Sequence, residues 1–147
     1  MTNTSASKHD FLSVANIEVI YNHVILVLKG ISLTVPKGSI VALLGGNGAG
    51  KTTTLKAVSR LLKSERGEVT KGDIEYQGQS LLASDPADVV KNGLIQVMEG
   101  RHCFEHLTVE ENILTGAYTR RDLKAEINVD LEKVYSYFPR LKDRRKS

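Results

Sequence analysis

The chain has 147 residues, 41% of them apolar and 25% charged, which is the balance of an ordinary globular domain and not of a disordered or membrane-spanning chain. The single cysteine, Cys103, excludes an internal disulfide framework and favours a reducing, cytoplasmic compartment. The net charge is +3, and the surplus of Lys and Arg over Asp and Glu lies in residues 120–147. Because no aromatic residues interleave with the terminal charges, a solvated helix end and loop are favoured there over a surface that binds nucleic acid or lipid headgroups.

The N-terminal part of the chain is predicted to be rich in β-strands. Residues 1–11 are polar, lack the apolar core of a secretory signal, and are predicted to form a disordered lead-in. Residues 12–21 and 24–35 have the β-branched composition of strands, and the second run stops at a Pro-Lys-Gly turn. Residues 39–44 are apolar except for the first, which predicts a short, central, fully buried strand.

Helices and shorter strands are predicted along the rest of the chain. The order of elements predicts an α/β fold with an antiparallel N-terminal part and a helical C-terminal part. A helix is predicted over residues 51–62, with Leu55, Val58, Leu61 and Leu62 on one face. The later elements are a loop between Gly67 and Gly72, an edge strand over 73–76, a short helix from Pro86 to Gly93, a second buried strand over 94–98, a helix opened by the capping box Thr108-Val109-Glu110-Glu111 and running to about Ala117, and a helix over 122–138 that stops at Pro139.

A glycine-rich loop joins the predicted strand over residues 39–44 to the helix that follows. It reads Gly45-Gly46-Asn47-Gly48-Ala49-Gly50-Lys51-Thr52 and matches the pattern G-x-x-x-x-G-K-[ST]. Glycine lets the backbone curl and turn its N–H groups inward, and a helix N-terminus adds unpaired amides and partial positive charge. We therefore predict that this loop binds the phosphates of a nucleotide, ATP.

The residues of this loop have distinct predicted roles. Lys51 can reach the β- and γ-phosphates as a flexible point charge. The Thr52 hydroxyl suits Mg²⁺, a hard cation that prefers oxygen ligands, and Thr53 can donate to the α-phosphate. Backbone amides are the predicted phosphate donors at the remaining positions, which are Gly45, Asn47, Gly48, Ala49 and Gly50.

The run from Leu44 to Leu55 resembles the Walker A segment of the ABC-transporter ATPases, which are P-loop NTPases. The preceding residues Gly30-Ile31-Ser32-Leu33 and Pro36-Lys37-Gly38 are similar to the family's strand and turn at this place. The resemblance implies that Tyr21 stacks on adenine, although an ordinary strand tyrosine is the alternative.

Two stretches, Val97-Met98-Glu99-Gly100-Arg101 and Leu107 to Asn112, resemble more narrowly the ATP-binding subunit of branched-chain amino-acid importers. Most ABC ATPases have at the position of Glu99 a glutamine that contacts Mg²⁺ and the attacking water. The resemblance therefore implies that Glu99 is a metal ligand and, with Lys51, a catalytic residue; a surface carboxylate is the alternative. Gln96 is expected to point into the environment of its strand.

The resemblance covers about residues 12–147 and then stops. The family's signature motif, Walker B pair and switch histidine would lie beyond Ser147, since no Asp or His in the chain stands in a matching place. We therefore expect an incomplete P-loop NTPase, an N-terminal fragment truncated before the signature motif. Its expected parts are the lead-in over 1–11, a nucleotide-binding core over 12–99 and the start of a helical subdomain over 100–147.

The resemblance also implies partners, location and function. The partners would be membrane permease subunits and a second ATP-binding subunit, with no nucleic acid and no direct contact with the transported solute. The location would be the inner face of the plasma membrane, with Phe104 and Leu107 either at the permease interface or in the packing of the helical subdomain. The implied function is to couple ATP binding and hydrolysis to amino-acid uptake, with poor hydrolysis by the fragment alone. A non-catalytic nucleotide-binding module and another P-loop phosphotransferase are the open alternatives.

Overall fold

The structure, a computed structural model, describes residues 10–100 and 102–147. These residues divide into a first unit that ends at Gln96 and a second unit, Val97–Ser147. Most of the predicted lead-in lies outside the described residues, and Phe11 at its end packs edge-on against Tyr76 with ring centroids 5.2 Å apart. The domain boundary predicted after residue 99 lies close to this division, and the domain assignment stays a prediction.

An antiparallel sheet of four strands forms the frame of the first unit. Its strands are β1 at Leu12–Tyr21, β2 at Ile25–Val35, β3 at Gly67–Tyr76 and β4 at Gln79–Ser80. The strand order is β2-β1-β3-β4, so β1 has hydrogen-bonded neighbours on both sides. Alternation along β1 buries Ile17 and Val19, and the bulge between Val14 and Ile17 brings Val14 to the same buried side. These three residues and Ile74 of β3 are at most 1% exposed. The strands predicted over 12–21 and 24–35 are confirmed.

Two short helices lie in the same unit, α1 at Lys51–Val58 and α2 at Pro86–Lys91. Helix α1 ends before the predicted residue 62 because Arg60 takes a positive φ of 62°, and the Leu61 amide then turns back to the Lys56 carbonyl at 2.9 Å. A 3-10 turn over Leu62–Glu65 follows. The predicted apolar face is only partly correct, since Leu55 is 50% exposed while Val58 and Leu62 are buried.

The loop predicted between Gly67 and Gly72 is wrong, because both glycines lie inside strand β3. Gly72 has φ +81°, and a Cβ there would lie 2.3 Å from the carbonyl oxygen of Ala15 on β1. The pairing of β1 with β3 shifts register next to this point, between Ala15 and Glu18. This glycine therefore allows two strand backbones to approach at a bulge, and it does not mark the end of a strand.

The buried strands predicted over residues 39–44 and 94–98 are also wrong. Neither segment pairs with a strand of the described residues, and large apolar side chains of both segments are exposed to solvent. Ile40 is 101% exposed and Val97 is 90% exposed. A fully apolar strand needs a neighbouring strand at each edge and cover on both faces, and the antiparallel sheet β2-β1-β3-β4 gives these segments neither.

The second unit is helical, as predicted, and its first helix begins with the predicted capping box. The Thr108 hydroxyl accepts from the amide of Glu111, and the Glu111 carboxylate accepts from the amide of Thr108. Helix α3, at Val109–Leu114, gives way to a 3-10 turn over Thr115–Ala117, so the α-helix is shorter than predicted. Helix α4, at Lys124–Tyr137, stops before Pro139 as predicted, and Pro139 opens a further short helix, α5 at Pro139–Asp143.

Tyr135 of α4 fixes this helix to α3. The ring is buried, and the hydroxyl donates to the Glu110 carboxylate of α3 at 2.7 Å. Burial, reinforced by the Glu110 charge, raises the pKa of Tyr135 to about 12. Over residues 10–100 and 102–147, no helix has both the length and the apolar character that crossing a membrane requires.

Candidate nucleotide-binding site

The glycine-rich loop follows the exposed segment 39–44 and leads directly into helix α1. Gly48 and Gly50 take positive φ values of 82° and 83°, a backbone region that side chains with a Cβ rarely enter. Within the loop the Ala49 amide donates to the Gly46 carbonyl at 3.2 Å. Among the described residues, the other amides from residue 47 to residue 53 have no backbone acceptor, so the turn presents a row of free donors to solvent.

Lys51 folds back over this loop. Its Nζ donates to the carbonyl oxygens of Gly45 (2.6 Å) and Gly46 (2.7 Å), and the described residues place no carboxylate in an ion pair with it. Helix α1 has no acidic residue in its first turn, so no carboxylate in that turn offsets the positive end of the helix, and no carboxylate of residues 10–100 or 102–147 pairs with the ammonium. A polyphosphate would therefore meet an ammonium held only by two neutral carbonyls among the described residues, beside a row of unpaired amides.

The three threonines after Lys51 are not equivalent. Thr54 is buried and its hydroxyl donates to the Gly50 carbonyl at 2.9 Å, which leaves it no role toward a ligand. Thr52 is exposed, and its hydroxyl has no hydrogen-bond partner in the part of the chain that the structure describes. Because Mg²⁺ takes few protein oxygens and keeps several waters, a single accessible hydroxyl beside a phosphate site fits that cation. Thr53 is half-buried.

The position of Gly50 depends on Leu28, a residue that belongs to none of the sequence motifs. A Cβ at Gly50 would lie 2.3 Å from Cδ2 of Leu28, which is 1% exposed on β2. The sheet thus holds the turn from loop to helix in place through close contact with a glycine. In the sequence, Leu28 is one residue of an apolar run. The composition of that run predicts burial but does not reveal that Leu28 contacts Gly50.

Tyr21 and Glu99, the other predicted site residues, lie in different units. Tyr21 is the last residue of β1, is half-buried, and pairs with Ile25 on β2 and Gly67 on β3. Glu99 is exposed in the second unit, and its carbonyl accepts a hydrogen bond from Nε2 of His102 at 2.7 Å. Gln96 is half-buried and its amide oxygen accepts from the Ser59 hydroxyl at 2.5 Å, so it points into the first unit.

A loop before helix α3 in the second unit has a defined course because of Asn112. The Asn112 amide group accepts from the backbone N–H of Phe104 at 2.8 Å and donates to the carbonyls of Phe104, Leu107 and Thr108 at 3.0–3.1 Å. With its backbone held in this way, the loop leaves Phe104 61% exposed and Leu107 38% exposed.

Comparison with known proteins agrees with this geometry. Among curated proteins, the chain is 37% identical over 118 residues to the high-affinity branched-chain amino acid transport ATP-binding protein BraG of Pseudomonas aeruginosa, covering 80% of this chain and 47% of that protein. It is 35% identical over 103 residues to the putative 2-aminoethylphosphonate import ATP-binding protein PhnT of Salmonella typhimurium, covering 70% of this chain and 26% of that protein. The chain thus spans about half the length, or less, of these relatives.

A solved structure described as the ATP binding subunit of an ABC transporter superposes with a TM-score of 0.74 at 31% identity. The superposition covers 93% of this chain and 53% of that one. The fold is therefore part of a P-loop NTPase domain of mixed α/β type, as predicted from the sequence. The family model for the ABC transporter matches residues 28–146. Since that match includes most of the chain, the protein belongs to the ABC transporter family.

Proposed function

We propose that this chain is the nucleotide-binding part of an ABC importer ATPase, and that it binds Mg²⁺–ATP at the loop from Gly45 to Thr52. The observation that carries the proposal is the row of unpaired amides at the start of α1, with the Lys51 ammonium beside it and no acidic residue in the first turn. Such a site attracts a multiply charged anion. Tyr21 would stack on the adenine, and the backbone amides of the loop would hold the phosphates.

The proposed chemistry divides the work among few residues. Lys51 would leave the Gly45 and Gly46 carbonyls and place its charge against the β- and γ-phosphates. Thr52 would hold Mg²⁺, which when bound neutralises phosphate charge during transfer to water. Glu99, whose carboxylate is exposed, would serve the metal or the attacking water. Thr53 would donate to the α-phosphate.

The importer part of the proposal rests on the relatives and on the second unit. Both named relatives are transport or import ATP-binding proteins, but the substrates in their names differ. A branched-chain amino acid is the proposed solute class because the stretch around Glu99 resembles that subfamily. The exposed Phe104 and Leu107, on a loop held by Asn112, offer an apolar surface to a membrane permease at the inner face of the membrane. A second ATP-binding subunit would complete the catalytic site.

A titration of the purified chain with ATP tests nucleotide binding directly. We expect saturable binding that strengthens when Mg²⁺ is added, with hydrolysis slow or absent. Absence of any ATP binding would refute the proposal. A chain that binds ATP but whose complete gene product also fails to hydrolyse it would support the non-catalytic module, and transfer of phosphate to an acceptor other than water would support a phosphotransferase.

A second test addresses Glu99. Replacing Glu99 with alanine should lower Mg²⁺-dependent ATP turnover in the complete protein, because the site would lose a hard oxygen ligand. Glu105→Ala is the matched control, since Glu105 is also an exposed glutamate of the second unit. Equal turnover by the two variants would count against a role for Glu99.

A further inference from the structure

Tyr21 at the end of β1 lies directly over a glycine of the neighbouring strand. Gly67 is its pairing partner on β3 and is buried. A Cβ built on Gly67 would lie 2.8 Å from Cε1 of the tyrosine ring, 3.1 Å from Cδ1 and 3.2 Å from Cζ. An approach in the plane of the ring would leave Cδ1 and Cζ much farther away than Cε1. The three similar distances show instead that Gly67 faces the flat side of the ring.

The backbone does not explain a glycine at this position. Gly67 is absent from the residues with positive φ, so its conformation is open to any amino acid. Glycine inside a strand weakens it relative to alanine, because the unfolded chain loses more freedom on folding. What a side chain at residue 67 would meet is the Tyr21 ring, at a distance that real Cβ atoms do not reach.

We propose that Gly67 is a positioning residue for nucleotide binding: by having no side chain, it seats one face of the Tyr21 ring on β3 and leaves the opposite face for the adenine. The inference rests on the proposed stacking of ATP on Tyr21. Aromatic rings bind bases through their faces, so a ring lifted or tilted by a Cβ beneath it loses that contact. Phosphate binding at the loop from Gly45 to Thr52 does not involve the ring and is unaffected.

The test compares ATP with inorganic tripolyphosphate, each with Mg²⁺, on the purified chain by calorimetric titration. Gly67→Ala should weaken ATP binding about tenfold, which is the loss of one base stack, and leave tripolyphosphate binding unchanged. Gly116→Ala is the matched control, because nothing lies within 4 Å of a Cβ there and its φ is not positive. Unchanged ATP affinity in Gly67→Ala, or an equal loss for both ligands, would overturn the proposal.

Variants at Tyr21 separate this inference from the proposed function. Tyr21→Ala should weaken ATP binding as Gly67→Ala does. The double variant Tyr21→Ala/Gly67→Ala should bind ATP no more weakly than Tyr21→Ala. If Gly67→Ala alone is unstable, the double variant should fold, because the ring that the Cβ would meet is absent. A double variant that fails to fold would overturn the inference, since the glycine would then be needed for another reason. Full ATP affinity in Tyr21→Ala would refute stacking and with it the role of Gly67, while a wild-type chain that binds neither ligand would refute the proposed function itself.

Discussion

Replacing Lys51 with alanine is the most direct perturbation of the phosphate site. In the structure Nζ makes two hydrogen bonds, to the carbonyls of Gly45 at 2.6 Å and Gly46 at 2.7 Å. A bound nucleotide would exchange these neutral acceptors for phosphate oxygens that carry full negative charge. Hydrogen bonds from a charged donor contribute about 1.5–3 kcal/mol each, and water replaces part of that loss. A net loss of about 3 kcal/mol corresponds to an affinity for ATP lower by roughly a hundredfold.

The same substitution should leave the fold intact. Both hydrogen bonds of Lys51 are exposed to solvent, so water can replace the ammonium at the two carbonyls. We expect a change of at most about 1 kcal/mol in the free energy of unfolding, measured by chemical denaturation. This separation of binding from stability is what distinguishes a ligand-binding lysine from a structural one.

Titration of a fluorescent ATP analogue against both forms measures the effect. Lys56→Ala is the matched control, because Lys56 lies on the same helix, carries the same charge, and pairs with Glu65 away from the glycine-rich loop. The control should bind the analogue nearly as the wild type does, apart from a small change in long-range attraction. Equal affinities in Lys51→Ala and Lys56→Ala would refute the assignment of Lys51 to the phosphates.

Three further predictions concern stability, each measured by denaturation with circular dichroism. Gly50→Ala should destabilise the first unit by about 1–3 kcal/mol, because its φ is positive and Leu28 leaves no room for a Cβ, whereas Gly46→Ala should be tolerated. The pKa of Tyr135 is raised in the folded state to about 12, so its protonated hydroxyl stabilises the fold at pH values below the unfolded pKa of about 10. That stabilisation should be lost as the pH rises from about 10 to about 12, and Tyr135→Phe should remove this contribution to the pH dependence. Ile40→Ala should change stability by less than about 0.5 kcal/mol, because Ile40 is fully exposed, while Ile74→Ala should cost about 2–5 kcal/mol; similar costs would mean that residues 39–44 are buried after all.

Local structure could be predicted from the sequence where it depends on residues that are close together in the chain. The strands β1 and β2, the capping box at Thr108 and the start of α2 at Pro86 follow from alternation, side-chain caps and proline geometry. The glycine-rich loop is predictable for the same reason, since the type and spacing of its residues indicate a tight turn that leads into a helix. The roles of its side chains toward a nucleotide stay predictions.

The errors arose where an element depends on partners elsewhere. The apolar segments 39–44 and 94–98 have the composition of buried parallel strands, but burial requires strands beside them, and the described residues supply none. The sequence predicts a loop at Gly67 and Gly72 because single glycines mark turns more often than close approaches between strands. Nothing in the linear sequence shows that the Tyr21 ring or the Ala15 carbonyl occupies the space of the missing side chain.

Because of Asn112, the backbone course of the loop before α3 does not depend on the side chains that the loop exposes. One carboxamide satisfies backbone groups of Phe104, Leu107 and Thr108, so the course of the chain is set by a residue that stands behind the loop. The outward side chains are then free to vary without altering the backbone. In the proposed importer, the surface offered to a permease could therefore change by substitution of Phe104 and Leu107, while Asn112 keeps the backbone of the loop in place.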